Sequence, residues 1–160
     1  MANGIGLLGF TALFIYLASR GTPGVSVAAF VTTVLGIITI VAVIGVAAFA
    51  QPAIGKAFLA GQHDVIDVNS SVYDTTQNIT SGVGIVLWVV GAVLFAVAIS
   101  RSQSLPTAAG VLLAVSIPVF AIGSIMGNLL AQIGGLLQVG STIWIARSAM
   151  TSRPIPSRDG

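Results

Sequence analysis

Charge in this chain is confined to the gaps between long apolar runs. Arg20, Arg101 and Arg147 each close such a run, and no Asp, Glu, Lys, Arg or His falls inside one. Ionisable groups at a bilayer centre are costly, whereas Arg at a helix end reaches back to the headgroups. The pattern therefore predicts an all-α, polytopic membrane protein. Only 6% of residues are charged, against about 25% in a soluble domain, and a mean hydropathy of +1.05 leaves little polar surface for water. No polar linker is long enough to divide the chain, so one helical bundle is expected.

A crossing helix takes about 20 apolar residues, and on that measure the chain reads as five spans: 5–19, 25–50, 82–100, 107–126 and 128–146. The first is short and ends at Arg20-Gly21-Thr22-Pro23. The second is expected to stop before Gln51-Pro52, and the third stops at Arg101. The forty apolar residues from 107 to 146 suit two helices in a tight hairpin, turning at Gly123, Gly127 and Asn128. Residues 1–19 lack the basic start of a signal peptide. A start on the outer side with no charge to hold it there also accommodates a further helix upstream, in a six-spanning protein.

The positive-inside rule sets the orientation. With the N-terminus outside, Arg20, Arg101, Arg147, Arg153 and Arg158 fall on the cytoplasmic side and only Lys56 does not. The expected location is a bacterial plasma membrane, with 1–146 as the bundle and 147–160 as a basic cytoplasmic tail. Three basic residues in that tail fall short of the four to eight of a lipid-recognition cluster. No basic cluster with interleaved aromatics suggests nucleic acid. The absence of cysteine removes disulfides and thiolate ligands, and counts against the disulfide-looped four-helix families of animal cell surfaces.

The outer loop, 51–81, is the one sizeable polar segment. Residues 51–61 read as a separate, partly apolar helix at the interface, begun by Pro52. Residues 62–81 suit an ordered cap or a loose loop equally. Asn69-Ser70-Ser71 and Asn78-Ile79-Thr80 match the glycosylation pattern, which recurs by chance in such composition. His63 and Asp67 would share one face if helical, and with Asp64 or Asp74 they are the available metal or acid–base candidates. A solvated loop explains them more simply, so no metal or cofactor is expected.

Within the spans, Ser124 has no His or Lys partner for hydrolysis. Asn128, Gln132 and Gln138 are spaced to form one broad polar stripe on the last helix. The stripe reads either as a solute path or, preferred here, as interhelical hydrogen bonding. Gly123 and Gly127 form a GxxxG, and Gly82, Gly84, Gly91, Gly134, Gly135 and Gly140 add small positions where helices approach. Pro118 should kink the fourth span, and Trp144 suits an interfacial anchor.

No catalytic residue emerges. The expected function is non-enzymatic: an accessory or assembly subunit acting through helix–helix contact with a larger membrane complex or with its own copies. The alternatives are a small transporter or channel for a neutral or polar solute and, less favoured, a metal-dependent enzyme in the outer loop.

Overall fold

A computed structural model of the protein describes residues 2–126 and 128–151. Six helices carry almost all of them: α1 (Ala2–Ala18), α2 (Pro23–Leu59), α3 (Val65–Val72), α4 (Thr75–Ser102), α5 (Thr107–Met126) and α6 (Asn128–Thr151). Four of these, α2, α4, α5 and α6, are long and apolar enough to cross a membrane. This is an all-α polytopic membrane bundle. The expected first span is α1, whose 17 residues reach about 26 Å, just short of a ~30 Å hydrocarbon core.

Three boundaries differ most from expectation. The second span was expected to end at residue 50, but α2 continues through Pro52 to Leu59, so no separate helix forms at 51–61. Proline has no N–H to give the Ala48 carbonyl, yet the ring is accommodated because the turns on either side keep their own bonds. The helix ends instead where Gly61 takes φ +85°, with Gln62 N–H donating back to the Ala57 carbonyl at 3.1 Å. The last helix also runs on, past 146 and Arg147 to Thr151. Gly127 and the tail 152–160, with Arg153 and Arg158, lie outside the described residues.

The third expected span grows at its start for a local reason. Asp74, in extended conformation, caps α4 by accepting from the Thr76 and Gln77 N–H groups at 2.8 and 3.1 Å. That cap lets the polar segment 75–81 join the helix. At the other end Gln103 adopts φ 51° and closes the helix before Pro106.

The helices pack in antiparallel sequence. Along α2, Ser26, Ala29, Thr33 and Gly36 are buried; Gly36 meets Gly84 and Trp88 of α4, and Thr33 meets Gly91. A Cβ on Gly36 would lie 2.6 Å from the Trp88 backbone nitrogen, and one on Gly91 would meet Thr33 Oγ1 and, at 2.8 Å, the Thr33 nitrogen. On its other side α4 meets α5, where Gly110 lies against Ile99 and Ala96. The hairpin is closest of all: a Cβ on Gly123 would fall on the Ala131 nitrogen, and one on Gly134 on the Phe120 nitrogen. In lipid, where apolar surface gains nothing by leaving solvent, such close backbone approach supplies the van der Waals attraction that holds helices together. Stacked pairs Phe10–Phe95 and Phe14–Phe30, with centroids 5.5 and 4.9 Å apart, fasten α1 to α4 and α2.

The result is an open layer in which α1 rests against α2 and α4, and α5 and α6 follow α4 in turn. The chief helix contacts are α1 with α2, α2 with α4, α4 with α5, and α5 with α6. Arg20, Arg101 and Arg147 therefore lie at one end of the layer. At the other end α2 and α4 outrun their neighbours. Following the register set by Gly36–Trp88, Trp88–Phe120 and Gly110–Ile99, the end of α5 lies level with about residue 42 of α2. The remaining turns of α2, about 26 Å of helix, project beyond it together with α3 and the start of α4.

Candidate functional site

The projecting part carries a surface concavity with a mixed lining. An open groove of about 390 Å³ runs between the last turns of α2 and α3, lined by Gln51, Ile54, Gly55, Phe58, Val65, Ile66 and Asn69. Gln51, Ile54, Gly55 and Phe58 follow helical spacing, which is why continuity of α2 through Pro52 creates this wall. The opposite wall depends on α3, whose Ser70 and Ser71 hydroxyls donate to the Asp67 carbonyl at 2.8 and 2.9 Å. Two amide side chains and an apolar floor can hold a neutral chain or ring in place. They supply neither a nucleophile nor a base.

The charged candidates nearby do not converge. His63 lies ahead of α3, its ring edge-on to Phe58 with centroids 5.0 Å apart. His63 stands in the turn before α3, which begins at Val65 and carries Asp67; the Ile66 N–H donates to the His63 carbonyl at 3.2 Å. Asp64 precedes α3 and Asp74 is engaged in its cap. Among the described residues no three metal-capable side chains cluster. Backbone donation from Gln77, reinforced by Thr76, holds the Asp74 carboxyl below its ordinary 3.8. Asn69 turns to the groove, while Asn78 is exposed on the first turn of α4.

The intramembrane candidates separate as well. Asn128 opens α6. Ala131, Gly134, Gln138, Ser141 and Ile145 form the side of α6 turned to α5, with Gly134, Ser141 and Ile145 buried. Gln138 is half-buried on that side; Gln132 is exposed on a different face. Gln132 thus lies toward the outside of α6 and Gln138 toward α5. Ser124 donates to its own helix at the Phe120 carbonyl, 2.8 Å away, and Ser116 to Leu113 at 2.8 Å. Gly123 makes the close contact expected of it; Gly127 is outside the described residues.

No protein-family model matches the chain, and no curated protein or solved structure is significantly similar to it. The residues alone carry the functional reading.

Several contact residues escaped the sequence reading. Gly36 is the tightest approach on α2, and the small residues at 26, 29, 33 and 36 were its visible signal. Of the glycines that were singled out, Gly84, Gly91 and Gly134 are contacts, whereas nothing would meet a Cβ on Gly82 or Gly140. Trp88 finds its partner in Phe120, edge-to-face at 6.2 Å; no local pattern links those two positions.

Proposed function

We propose that the protein is a non-enzymatic membrane subunit that works through helix contact, anchoring the α2–α3–α4 projection against a larger membrane complex. The observation that carries this reading is the apolar surface beyond the end of α5. There Phe49 is 84% and Leu59 87% exposed, with Ile66 and Ile79 also open. At that height α4 is already polar (Thr75, Gln77, Asn78), so the surroundings are those of headgroups and water. Large apolar side chains this open to such surroundings are the residues a partner would cover. The separation of Gln132 from Gln138 weighs against a solute path along α6.

In this reading the arginine end faces the cytoplasm, by the positive-inside rule, and the projection faces outward from a bacterial plasma membrane. The partner sits on the apolar side of the projection. Mild detergent extraction from native membranes followed by native mass spectrometry tests the proposal. A stoichiometric larger complex, lost in a Phe49→Ser/Leu59→Ser variant that still inserts, is the expected result. A chain recovered without larger partners, and solute flux into vesicles that depends on Gln132 or Gln138, would replace it with the transporter reading.

A further inference from the structure

The layer of helices ends in α6, and among the described residues its chief neighbour is α5. The two meet through Ala131, Gly134, Ser141 and Ile145, and the rest of the circumference of α6 is open. On the open side Leu129, Gln132, Leu136, Val139, Ile143, Ala146 and Met150 are all exposed. Their spacing alternates three and four residues over three heptads. That is the seam of a two-stranded left-handed coiled coil, and in a membrane it runs at about +20° between helices.

Lipid alone would satisfy the apolar members of this seam, but it does not satisfy Gln132. The side chain is exposed and lies about five residues, some 7 Å, inside the hairpin end, within the apolar run, where lipid chains offer its amide no hydrogen-bond partner. Thr142, also exposed on α6, bonds its own helix at the Gln138 and Val139 carbonyls, both at 2.9 Å. An amide carries both donors and an acceptor, so it is complementary to another copy of itself. Copies of one chain insert with the same orientation, which brings the second amide to the same depth without further design. Beside the seam, a Cβ on Gly140 would meet nothing within 4 Å, leaving room for a second backbone.

We propose that α6 pairs in parallel and in register with α6 of a second copy, about an axis normal to the membrane, with the two Gln132 amides hydrogen-bonded across it. The inference rests on the reading of this protein as one that works through helix contact, and it names the occupant of one face. The pair leaves the projection free, since that surface is carried by α2, α3 and α4 beyond the end of α5.

The test uses the full chain in lipid vesicles. Because the protein has no cysteine, single-cysteine variants report one position each. Oxidation should link Leu136→Cys and Ile143→Cys into dimers, and leave Val115→Cys on the exposed side of α5 monomeric. Separately, the dimer dissociation constant, measured by energy transfer on dilution with lipid, should rise about 5- to 30-fold in Gln132→Leu. That range corresponds to the ~1–2 kcal/mol of a polar contact between model transmembrane helices. Gln132→Asn should recover most of the loss, which a purely steric effect would not. A monomer at every dilution overturns the proposal. So does a dimer whose links avoid α6 and whose affinity ignores Gln132; that second result leaves the projection's partner untouched, because native mass spectrometry reads it independently.

Discussion

Asp74 is the residue on which the start of α4 depends. Its carboxylate takes the Thr76 and Gln77 N–H groups that an uncapped helix would leave to water. The charged form is the better acceptor, so its carboxyl titrates below the ordinary 3.8. A lowered value in the folded state means that the cap's contribution is complete above the ordinary carboxylate range and is lost as pH falls to the lowered value. Amide resonances of Thr76 and Gln77 in micelles should therefore titrate with a midpoint under 3.8. Asn caps helices about as well as Asp but does not ionise, so Asp74→Asn should hold those resonances flat over the same range. A midpoint at or above 3.8 in the native protein would count against the capping role.

At the scale of the element, the fold rests on pairs of helices that touch through backbone. Gly91→Val places a side chain onto the Thr33 nitrogen and Cα, 2.8 and 2.9 Å from the new Cβ, and neither atom can step aside without moving α2. We expect it to destabilise the protein by about 1–3 kcal/mol, the usual range for overpacking, in detergent-titrated unfolding. Gly82→Ala, whose Cβ meets nothing within 4 Å, should stay within about 1 kcal/mol. Equal effects at both positions would show that α2 and α4 do not meet as described. Sequence made α5 and the hairpin legible, since Pro106 and the glycines near 127 are local punctuation. It did not make α2 legible. Pro52 is a stop signal in isolation, and it is outweighed by the helix formers that follow, Ala53, Ile54, Lys56, Ala57, Phe58 and Leu59, together with the packing of that extension on α3. The groove followed from the same error, because its lining requires Gln51 and Phe58 to belong to one helix. His63 and Asp67 illustrate the converse: α3 begins at Val65 and carries Asp67, while His63 stands in the turn before it.

For the molecule as a whole, the arginines define an axis. Arg20, Arg101 and Arg147 close α1, α4 and the apolar part of α6 at one end, and Lys56, Asp64, Asp67 and Asp74 occupy the other. Single cysteines placed at these ends give a direct reading of orientation. In intact cells, an impermeant maleimide should label Leu59→Cys at once and Ser102→Cys only after the membrane is opened. The reverse order would invert the proposed topology while leaving the bundle as it is.

The unequal reach of the helices has a consequence for the lipid itself. The 20 residues of α5 match a hydrocarbon layer of about 30 Å, whereas the unbroken apolar stretch 25–50 of α2 would fill nearly 39 Å. In a layer matched to α5, the last turns of that stretch, Phe49 among them, stand among the headgroups. Each ångström of mismatch carries a fraction of a kcal/mol, relieved by tilting or by stretching the adjacent acyl chains. Holding the projection clear of the hydrocarbon therefore carries a cost that varies with the thickness of the surrounding bilayer.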